Sequence, residues 1–535
     1  MSPVTLLILL PLVSAACIAL IPGLKASVAR TISLIIHFCV AAMALSMFVQ
    51  FGNSPANDDG VRFSQIVEWM PTLGIQFYVG LDPLNAALVL MSAVVCFAAV
   101  CCSEGVQERP KTYYVLLSMM TSGVLGAFAS FDIFSFYFFH ELALVPTFIL
   151  IGGWGAGPQR KYATYKITLY LTAGALLALS GIIALYLQSN AGTFNMFALL
   201  AALADSPISP ETQNWIFPLL LIGFGVLVSL WPLHTWAPLS YGHAPTGVAM
   251  IHAGALKKFG LYGLLRIAVP ALPAGSENWM MVMVWLCLGN LILVGLAAMR
   301  QKQLHMLVGF SSVAHMGFVF MGLAVYNHIG VTGALLVMVA HGYLAALSFG
   351  VTGLLRLHHP DLDMAKMGGI LKQAPYLGFA LAVAFFAGCG VPGFANFAGE
   401  VLIFFGAWEE LPAVFVVPAI WSGLIIGGVY MLRAYRNVLH GPVGEKWSTL
   451  KDPQGMPRIG CNVLIIALIF FGVMPSSITK MASPSIDSLI GQVEAGRPQT
   501  NVMGSTSESL EIGSLPASNA AISGEHPTIA SNTNP

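Results

Sequence analysis

The sequence predicts an all-α fold, a polytopic membrane protein of about fourteen transmembrane helices with two inverted five-helix repeats, each containing a broken helix. Three observations support this prediction. Of 535 residues, 57% are hydrophobic and only 9% are charged, whereas soluble domains carry about 25% charged residues. Apolar runs long enough to cross a bilayer recur along the chain. Proline and glycine interrupt two of these runs at corresponding places.

The predicted spans follow the apolar runs in chain order. They lie near 4–22, 30–51, 80–102, 112–129, 131–152, 163–187, 215–236, 246–269, 279–299, 304–325, 329–357, 375–408, 412–438 and 459–475. The first run has no basic residue before it and no small-residue cleavage site after it. We therefore expect a retained helix there and not a signal peptide.

These spans divide the chain into five parts. N-terminal transmembrane helices occupy 1–111, and the two five-helix repeats occupy 112–269 and 279–438. A cytoplasmic loop and the last helix occupy 439–475. A polar, disordered external tail is expected at 476–535, because Ser, Thr, Asn, Gly and Pro predominate there and apolar periodicity is lost.

Basic residues are distributed unevenly between alternate loops. If residue 1 lies outside, the odd-numbered loops and their adjoining helix ends hold 16 of the 23 Lys and Arg residues, and the remaining loops and the tail hold three. The other four, Lys166, Lys257, Lys258 and Arg266, lie within spans. Cytoplasmic loops are the ones enriched in Lys and Arg. We therefore expect an even number of helices in a bacterial inner membrane, with both termini periplasmic.

Two spans contain helix-breaking residues. Span seven includes Pro232 and Pro238, and span twelve includes Gly390, Pro392 and Gly393. Proline removes a helix hydrogen bond and clashes with the preceding turn, so both helices should be broken or unwound. Each is the fourth span in a run of five, and an odd number of helices inverts the second copy. Paired breaks indicate an inverted-repeat transporter with its ion path at mid-membrane; the alternative is that these prolines only kink helices.

Two carboxylates lie inside apolar spans, Glu141 in span five and Glu400 in span twelve. An ionisable group at bilayer depth costs about 2.5–3.5 kcal/mol on insertion scales. We therefore expect both to take part in moving ions or protons. Asp82 and Asp132 lie at span ends, where helix capping is sufficient to explain them.

Composition also excludes other classes of function. The formal net charge is zero, which argues against a nucleic-acid partner because there is no basic surplus to neutralise phosphates. The eight cysteines lie in apolar segments and lack the paired spacings of zinc or iron–sulfur ligands. Nucleotide-binding glycine loops and nucleophile constellations are absent from the sequence. We expect no metal and no cofactor in this chain.

Several motifs occur in the order and spacing of a known family. They are FYFFHELALVPTFILIGGWG, PLHTWAP, HAPTG, AGALKKFGLYGLLR, GFSSVAHMGFV, VAHGYLAALSFG and VPGFANFAGE, which together span about 80–475. The chain resembles the antiporter-like membrane subunits of respiratory complex I (NADH–quinone oxidoreductase), which are related to multisubunit cation/proton antiporters and membrane-bound hydrogenases. Within this family Glu400 resembles the subunit M (chain 4) type, because the L, N and Mrp-type subunits usually carry lysine at that position.

The resemblance implies a chain of protonatable groups across the membrane centre, driven by redox chemistry in other subunits. By position in the motifs, its members are Glu141 for the span-five glutamate, Lys166 for the span-six lysine, Lys258 for the central lysine, His341 for the span-eleven histidine and Glu400 for the exit-side acid. Lys257 and His315 lie in the same motifs and are further candidates. Buried lysine and glutamate can both exchange protons near neutral pH.

Each candidate has a structural alternative. Glu141 could hydrogen-bond a broken helix, and Lys166 could extend to the cytoplasmic interface. Lys257 and Lys258 point about 100° apart on a helix, so a narrow path readily faces only one of them. The two histidines could be packing or hydrogen-bonding residues.

The chain departs from the family at three positions. Leu227 stands where the family usually has a span-seven lysine that pairs with the span-five glutamate. His305 and Gln303 replace a lysine and an aspartate before the SSVAHM element. Leucine cannot accept a proton or balance Glu141, so either the path is rerouted through Lys257, Lys258, His234 or water, or this copy has lost part of its pump.

Three functions remain open at this point. The first is a proton-translocating subunit of a multisubunit NADH or related quinone oxidoreductase, with L-type and N-type antiporter-like subunits as partners and the redox centres in other chains. The second is a subunit of a cation/proton antiporter or membrane-bound hydrogenase, against which Glu400 argues. The third is a partly inactive M-like coupling subunit, which Leu227 favours.

Overall fold

The computed structural model describes residues 1–497 of the chain, and these are almost entirely helical. The first half contains α1 Pro3–Leu20, α2 Ala26–Gln50, β1 Arg62–Met70, β2 Ile75–Leu81, α3 Ala86–Cys101, α4 Pro110–Ala129, α5 Ile133–Trp154, α6 Arg160–Ser189, α7 Met196–Asp205, α8 Pro210–Val228, α9 Trp236–His243, α10 Thr246–Gly254, α11 Phe259–Gly263 and α12 Val269–Ala271. The second half contains α13 Pro273–Leu288, α14 Gly295–Met299, α15 Leu304–Val325, α16 His328–His358, α17 Met364–Met367, α18 Ile370–Gln373, α19 Pro375–Gly388, α20 Ala395–Glu410, α21 Ala413–Trp421, α22 Gly427–Leu439, α23 Met456–Val473 and α24 Ser476–Gly496.

The helices form a membrane-spanning bundle. Among residues 1–497, eleven helices are long and apolar enough to cross a membrane. The most enclosed are α15 and α16, and every residue of the most apolar 18-residue stretch of α16 is buried. The centre of the bundle therefore lies along α15 and α16, against which α9, α10, α13 and α20 pack. The multi-pass helical fold is confirmed, and the count of fourteen spans and the inverted repeats stay predictions.

Both predicted helix breaks are confirmed. The helix α8 ends at Val228, and Ser229 turns the chain with a φ of +73° before α9 begins. The helix α19 ends at Gly388, and the chain resumes as α20 only after Gly390 and Gly393, with φ angles of +65° and +100°. Residues without a Cβ adopt such left-handed conformations at little cost. The glycines thus open the second break, where proline alone would only have kinked the helix.

A third interruption was not predicted. Within span eight the α-helical pattern stops at Gly254, and Leu256–Lys258 forms a 3₁₀ turn that joins α10 to α11. A 3₁₀ turn inside a helix often marks a functional hinge. Both lysines of the AGALKKFG motif lie in this turn.

The prediction of a purely helical chain missed one β-hairpin, and the prediction for span three began too early. Strands β1 and β2 pair antiparallel, and they are joined by a turn that ends on Gly74 with a φ of +64°. The third span begins at Ala86, because residues 75–81 belong to the hairpin and not to the membrane helix. Neither strand has an apolar run of membrane length, so a hydropathy search does not detect them.

The prediction of a disordered tail is wrong for its first part. Residues Ser476–Gly496 form α24, which packs against α12, α13 and α16. Ile478, Ala482 and Ile486 are buried along one face, at the spacing of a helical stripe. The remainder of the predicted tail, from residue 498, lies outside the described residues.

Each helix that crosses the bundle carries the chain to the opposite end, so successive loops should lie at alternate ends. At one end the loops after α3, α5, α9 and α16 surround a common cavity. At the other end the hairpin bridges the α4–α5 turn through Val79 and Ser130, and Asp132 bridges to Asn195 before α7. Odd-numbered loops are therefore together on one side and even-numbered loops on the other. The assignment of these sides to cytoplasm and periplasm stays a prediction.

Candidate functional site

Five of the seven predicted site residues lie in one buried group at the centre of the bundle. They are Lys257, Lys258, His315, His341 and Glu400, each no more than 5% exposed. The lysines come from the 3₁₀ turn, the histidines from α15 and α16, and the glutamate from α20 just after the second break. The three helices bring their side chains together because α15, α16 and α20 pack on one another. The lysines reach them from the turn.

Lys258 joins the end of a short helix to α16. Its Nζ donates to the carbonyl oxygen of Ala253 at 2.6 Å and lies 2.9 Å from Nδ1 of His341. Carbonyl groups in the last turn of a helix lack intrahelical partners and carry the negative end of the helix dipole. The end of α10 therefore offers an acceptor to the Lys258 side chain, while His341 offers a second nitrogen to which a proton can move.

Lys257 reaches the neighbouring helix. Its Nζ donates to the carbonyl oxygen of Ser312 at 3.0 Å and lies 3.3 Å from the Ser312 hydroxyl oxygen. The two adjacent lysine side chains thus contact different helices, α15 and α16, which are packed side by side. That a narrow path faces only one of the two lysines stays a prediction.

His315 lies between His341 and Glu400. Its ring centre is 5.7 Å from that of His341, and its Nε2 is 3.9 Å from Oε1 of Glu400. Its Nδ1 lies 2.8 Å from the carbonyl oxygen of Ser311, and its Nε2 lies 3.2 Å from that of Gly388. Carbonyl oxygens only accept hydrogen bonds, so a neutral imidazole donates to one of these two oxygens at a time. Each ring nitrogen of His315 thus has an acceptor for a proton.

Glu400 borders the second break. Its Oε2 lies against Gly390, where a Cβ atom would be 2.8 Å away. Its Oε1 has no hydrogen-bond partner within residues 1–497, and neither has the amide group of Asn396, one helical turn earlier and fully buried. Buried polar atoms are ordinarily hydrogen-bonded to protein or to ordered water. The opened helix thus leaves a polar space beside the carboxylate.

Glu141 lies apart from this group. Its Oε1 is 3.6 Å from Nδ1 of His140, and its side chain is 33% exposed. The His140 ring stacks on Phe259 with ring centres 3.9 Å apart, and Phe259 directly follows Lys258. In the described part of the chain, aromatic packing links Glu141 to the lysine turn, and no lysine or arginine lies within ion-pair distance of it.

Comparison with known proteins relates this chain to a family. Residues 130–425, more than half of the chain, match the family described as NADH:quinone oxidoreductase/Mrp antiporter, transmembrane. NADH-quinone oxidoreductase subunit M of Rickettsia conorii is 32% identical over 451 residues, which cover 83% of this chain and 88% of that protein. The chain belongs to this family. A further relative is NAD(P)H-quinone oxidoreductase chain 4-1 of Synechocystis sp., 32% identical over 91% of this chain and 93% of its own length.

A solved member of complex I has the same fold. A chain of respiratory complex I from Thermus thermophilus with bound NADH is 26% identical, with a TM-score of 0.83 over 92% of this chain and 99% of that one. The resemblance inferred from the motifs is therefore confirmed.

Two further family positions lie outside the central group. Lys166 is half-buried, with its Nζ 5.8 Å from the ring centres of both Tyr162 and Tyr170, and no ion pair within residues 1–497 includes it. Leu227 is buried in the last turn of α8. The structure therefore does not bring Lys166 into the central group, and the family's span-seven lysine has an apolar replacement.

Several polar residues around the site were not singled out from the sequence. Asn396 precedes Glu400 by four residues, so helical spacing could have drawn attention to it. His140 directly precedes Glu141 and has no such signal. Tyr430 on α22 lies with its hydroxyl 3.2 Å from the Ser311 hydroxyl oxygen. No local signal in the sequence indicates that contact, since 119 residues separate the two side chains.

Asp132 caps α5 as predicted, whereas Asp82 is not the cap of α3 but holds the turn before it and pairs with an arginine. Asp132 accepts from the backbone N–H of Ser135 at 2.8 Å, and Asp82 accepts from that of Asn85 at 2.9 Å. The other carboxylate oxygen of Asp82 forms a buried ion pair with Arg266. This pair lets a guanidinium remain inside the membrane core, since an unpaired buried charge costs several kcal/mol.

Proposed function

We propose that the chain is a proton-translocating membrane subunit of a multisubunit NADH, or related donor, quinone oxidoreductase. The relatives named subunit M and chain 4 support this assignment. The redox centres sit in other chains, and L-type and N-type antiporter-like subunits are the membrane partners. The complex lies in a bacterial inner membrane with both termini of this chain on the periplasmic side, as the distribution of basic residues indicates.

The observation that carries the mechanism is the continuous buried series Lys258, His341, His315 and Glu400. Consecutive members lie 2.9 Å apart at their nitrogens, 5.7 Å apart at their ring centres and 3.9 Å apart between nitrogen and oxygen. The proton leaves Nζ of Lys258 for Nδ1 of His341, leaving a neutral amine and an imidazolium. His341 passes it on to His315, and Oε1 of Glu400 receives it.

Electrostatic repulsion makes this series advance one proton at a time. Two imidazolium charges 5.7 Å apart, the ring separation of His315 and His341, repel by about 3 kcal/mol at an effective dielectric constant of about 20. A proton arriving on His341 therefore drives the one on His315 toward Glu400. Conformational signals from the redox subunits need only change the first protonation for the rest to follow.

The test is proton translocation by the intact complex reconstituted in liposomes. Glu400→Gln keeps the shape of the side chain and removes its titrating proton, so we expect fewer protons per electron in an assembled complex with electron transfer retained. Glu141→Gln should also reduce translocation if the two halves of the subunit work together. Glu410→Gln, an exposed glutamate on the same helix α20, is the matched control and should leave the ratio unchanged. An undiminished ratio in both site variants would refute the relay.

A specific observation favours a second candidate, a subunit that mainly couples its neighbours. Leu227 is buried and apolar, and Glu141 pairs only with His140 among the described residues. In that case the Glu400→Gln complex would pump normally while truncation or loss of the subunit would still abolish pumping by its neighbours. The proton-to-electron ratio of Glu400→Gln therefore separates the two candidates.

A further inference from the structure

A water-accessible vestibule opens at the end of the bundle that holds the odd-numbered loops. Its volume is about 940 Å³, and its lining includes Arg160, His243, Gln303, His305 and Arg356. It is far larger than the space a single water needs, about 10–15 Å³. Protons at that surface can therefore enter the vestibule in bulk-like water.

Gln303 shapes the mouth of the vestibule. Its side-chain N–H donates to Oδ1 of Asp361 at 2.9 Å, and its side-chain oxygen accepts from the backbone N–H of Leu362 at 3.0 Å. The hydrogen bond from Gln303 is the main reason that the pKa of Asp361, in the loop after α16, lies below its ordinary value, with Lys366 second. An aspartate at 303 could not donate to Asp361. The replacement of the family's aspartate by glutamine thus fixes this loop beside His305.

His305 forms the floor of the vestibule and the wall of a second, smaller cavity. The small cavity has a volume of about 10 Å³ and is also lined by Tyr241, Thr352 and Arg356. That volume fits about one water molecule. The Nδ1 atom of His305 is buried and has no hydrogen-bond partner within residues 1–497. His305 therefore lies between the vestibule and a single-water site, together with Thr246, Gly353 and Arg356, which line both cavities.

Tyr241 lies between the small cavity and the lysine turn. Its hydroxyl lies 3.2 Å from Nδ1 of His252, and the Nζ of Lys257 lies 5.8 Å from its ring centre. Tyr241 and His252 are each 2% exposed, and the Nε2 atom of His252 has no partner in the described residues. The vestibule and the side chain of Lys257 are thus separated by the side chains of His305 and Tyr241 and by one water-sized cavity.

We propose that His305 and Tyr241 form the proton-uptake route of this subunit, delivering protons from the vestibule to the group of Tyr241, His252 and Lys257. This inference rests on the proposed proton-translocating function. A vestibule water gives a proton to one ring nitrogen of His305 while the other ring nitrogen releases its proton to the water in the small cavity. That water protonates the Tyr241 oxygen as the Tyr241 hydroxyl proton moves to Nδ1 of His252. No net charge stays on His305 or Tyr241 after transfer.

The chemistry of position 305 supports the route. Imidazole can accept a proton at one nitrogen and release another from the second. Lysine offers a single nitrogen, so the family's usual residue must hold and release a full charge at the same atom. Lys257 then serves uptake, and Lys258 begins the series toward Glu400. The two adjacent lysines have separate tasks for which their separate contacts, to α15 and α16, are suited.

The test compares four variants in the intact reconstituted complex. His305→Leu and Tyr241→Phe should lower the number of protons moved per electron by as much as Glu400→Gln does in the same preparation. His305→Lys should restore most of the ratio, which a purely structural role of His305 would not allow. His440→Leu, an exposed histidine after α22 on the same side, is the control and should match the parent.

The outcomes separate this route from the proposed function. If Glu400→Gln lowers the ratio while His305→Leu and Tyr241→Phe match the parent, the uptake route is wrong and the relay stands. If all three match the parent, the proton-translocating function itself fails. Should His305→Leu prevent assembly, Tyr241→Phe decides alone, because it removes a single oxygen atom.

Water access to position 305 has an independent check. In a Cys102→Ser background, His305→Cys should react with a charged, membrane-impermeant thiol reagent added to the side of the odd-numbered loops, and Cys287, fully buried on α13, should not. Absence of labelling at position 305 in an active complex would mean that the vestibule is closed to water and that protons enter elsewhere.

Discussion

Replacing Leu227 by lysine tests whether Glu141, in the first half of the subunit, can form an ion pair with position 227. Leu227 lies one turn beyond Phe224 on α8, and the Phe224 ring is 6.4 Å from that of Phe136 on α5, which precedes Glu141 by about a turn. A lysine at 227 extends several ångströms further than leucine and can reach toward Glu141. We expect Leu227→Lys to assemble and to pump at least as well as the parent.

The magnitude follows from the exposure of Glu141. Opposite charges about 4 Å apart attract by about 4 kcal/mol at an effective dielectric constant of 20 and by about 1 kcal/mol in water. Glu141 is 33% exposed, so we expect a coupling energy of about 1–3 kcal/mol between positions 227 and 141. In a Glu141→Gln background the same lysine is a buried cation without its partner, and Leu227→Lys should then destabilise the subunit by about 3–5 kcal/mol.

A double-mutant cycle measures this coupling. The assay is the thermal midpoint at which the solubilised complex loses this subunit, compared for the parent, both single variants and the double variant. Leu221→Lys, at another buried leucine of α8, is the control and should be equally harmful with or without Glu141. A Leu227→Lys effect that is identical in both backgrounds would show that the two positions do not face each other, and the argument from Phe224 would be refuted.

Three further predictions address the breaks, the buried ion pair and the orientation. Gly390→Ala should reduce thermal stability by roughly 1–2 kcal/mol from its left-handed backbone alone. It should also impair proton translocation, since the new Cβ meets Oε2 of Glu400 at 2.8 Å. The control Gly428→Ala has open space around it and should be neutral in both assays; equal behaviour of the two variants would contradict the close packing at Gly390. Asp82→Asn should cost about 3–5 kcal/mol in the thermal stability of the subunit because Arg266 keeps its buried charge without a counter-ion, whereas a loss below about 1 kcal/mol would show that the guanidinium is solvated. A reporter fused after the last residue should appear on the periplasmic side and one inserted between α22 and α23 in the cytoplasm; detection of both on one side would overturn the assignment of the last span.

Hydropathy, proline and glycine were sufficient to predict the multi-pass helical fold and both major breaks, because each of these signals lies in a short run of consecutive residues. The interruption at Leu256–Lys258 has no proline, and nothing local requires a 3₁₀ turn there. Tertiary packing against α15 and α16 fixes the two lysine side chains. A sequence pattern could therefore identify Lys257 and Lys258 as site residues but not predict which helix each of them contacts.

The helix α24 shows the opposite limitation. Its apolar residues Ile478, Ala482, Ile486 and Val493 have helical spacing, but Ser, Thr and Lys between them lower the mean hydropathy to that of a tail. Burial of one narrow stripe against α12, α13 and α16 is enough to hold the helix. Average composition therefore predicted disorder where periodicity would have predicted a surface helix.

For the site, the motifs identified the residues and the structure supplied the distances. Glu400 and His315 are 85 residues apart in the chain, and only the packing of α15 on α20 shows that they are neighbours. Lys166 matched its family position equally well, yet it lies between two tyrosine rings and outside the central group. Motif position alone does not decide which ionisable residues are in contact.

Phe259 has a consequence for how the two halves of the subunit communicate. Its ring is stacked between Phe136 and His140, with ring centres 4.0 and 3.9 Å away, directly beside the lysine turn. The Phe259 ring has no titratable atom and cannot relay a proton, whereas Coulomb forces act through the low-dielectric interior around it. Phe259 therefore blocks proton transfer without screening charge. A change of charge at Glu141 is felt at Lys258 across it, and the two halves can be coupled without sharing a proton.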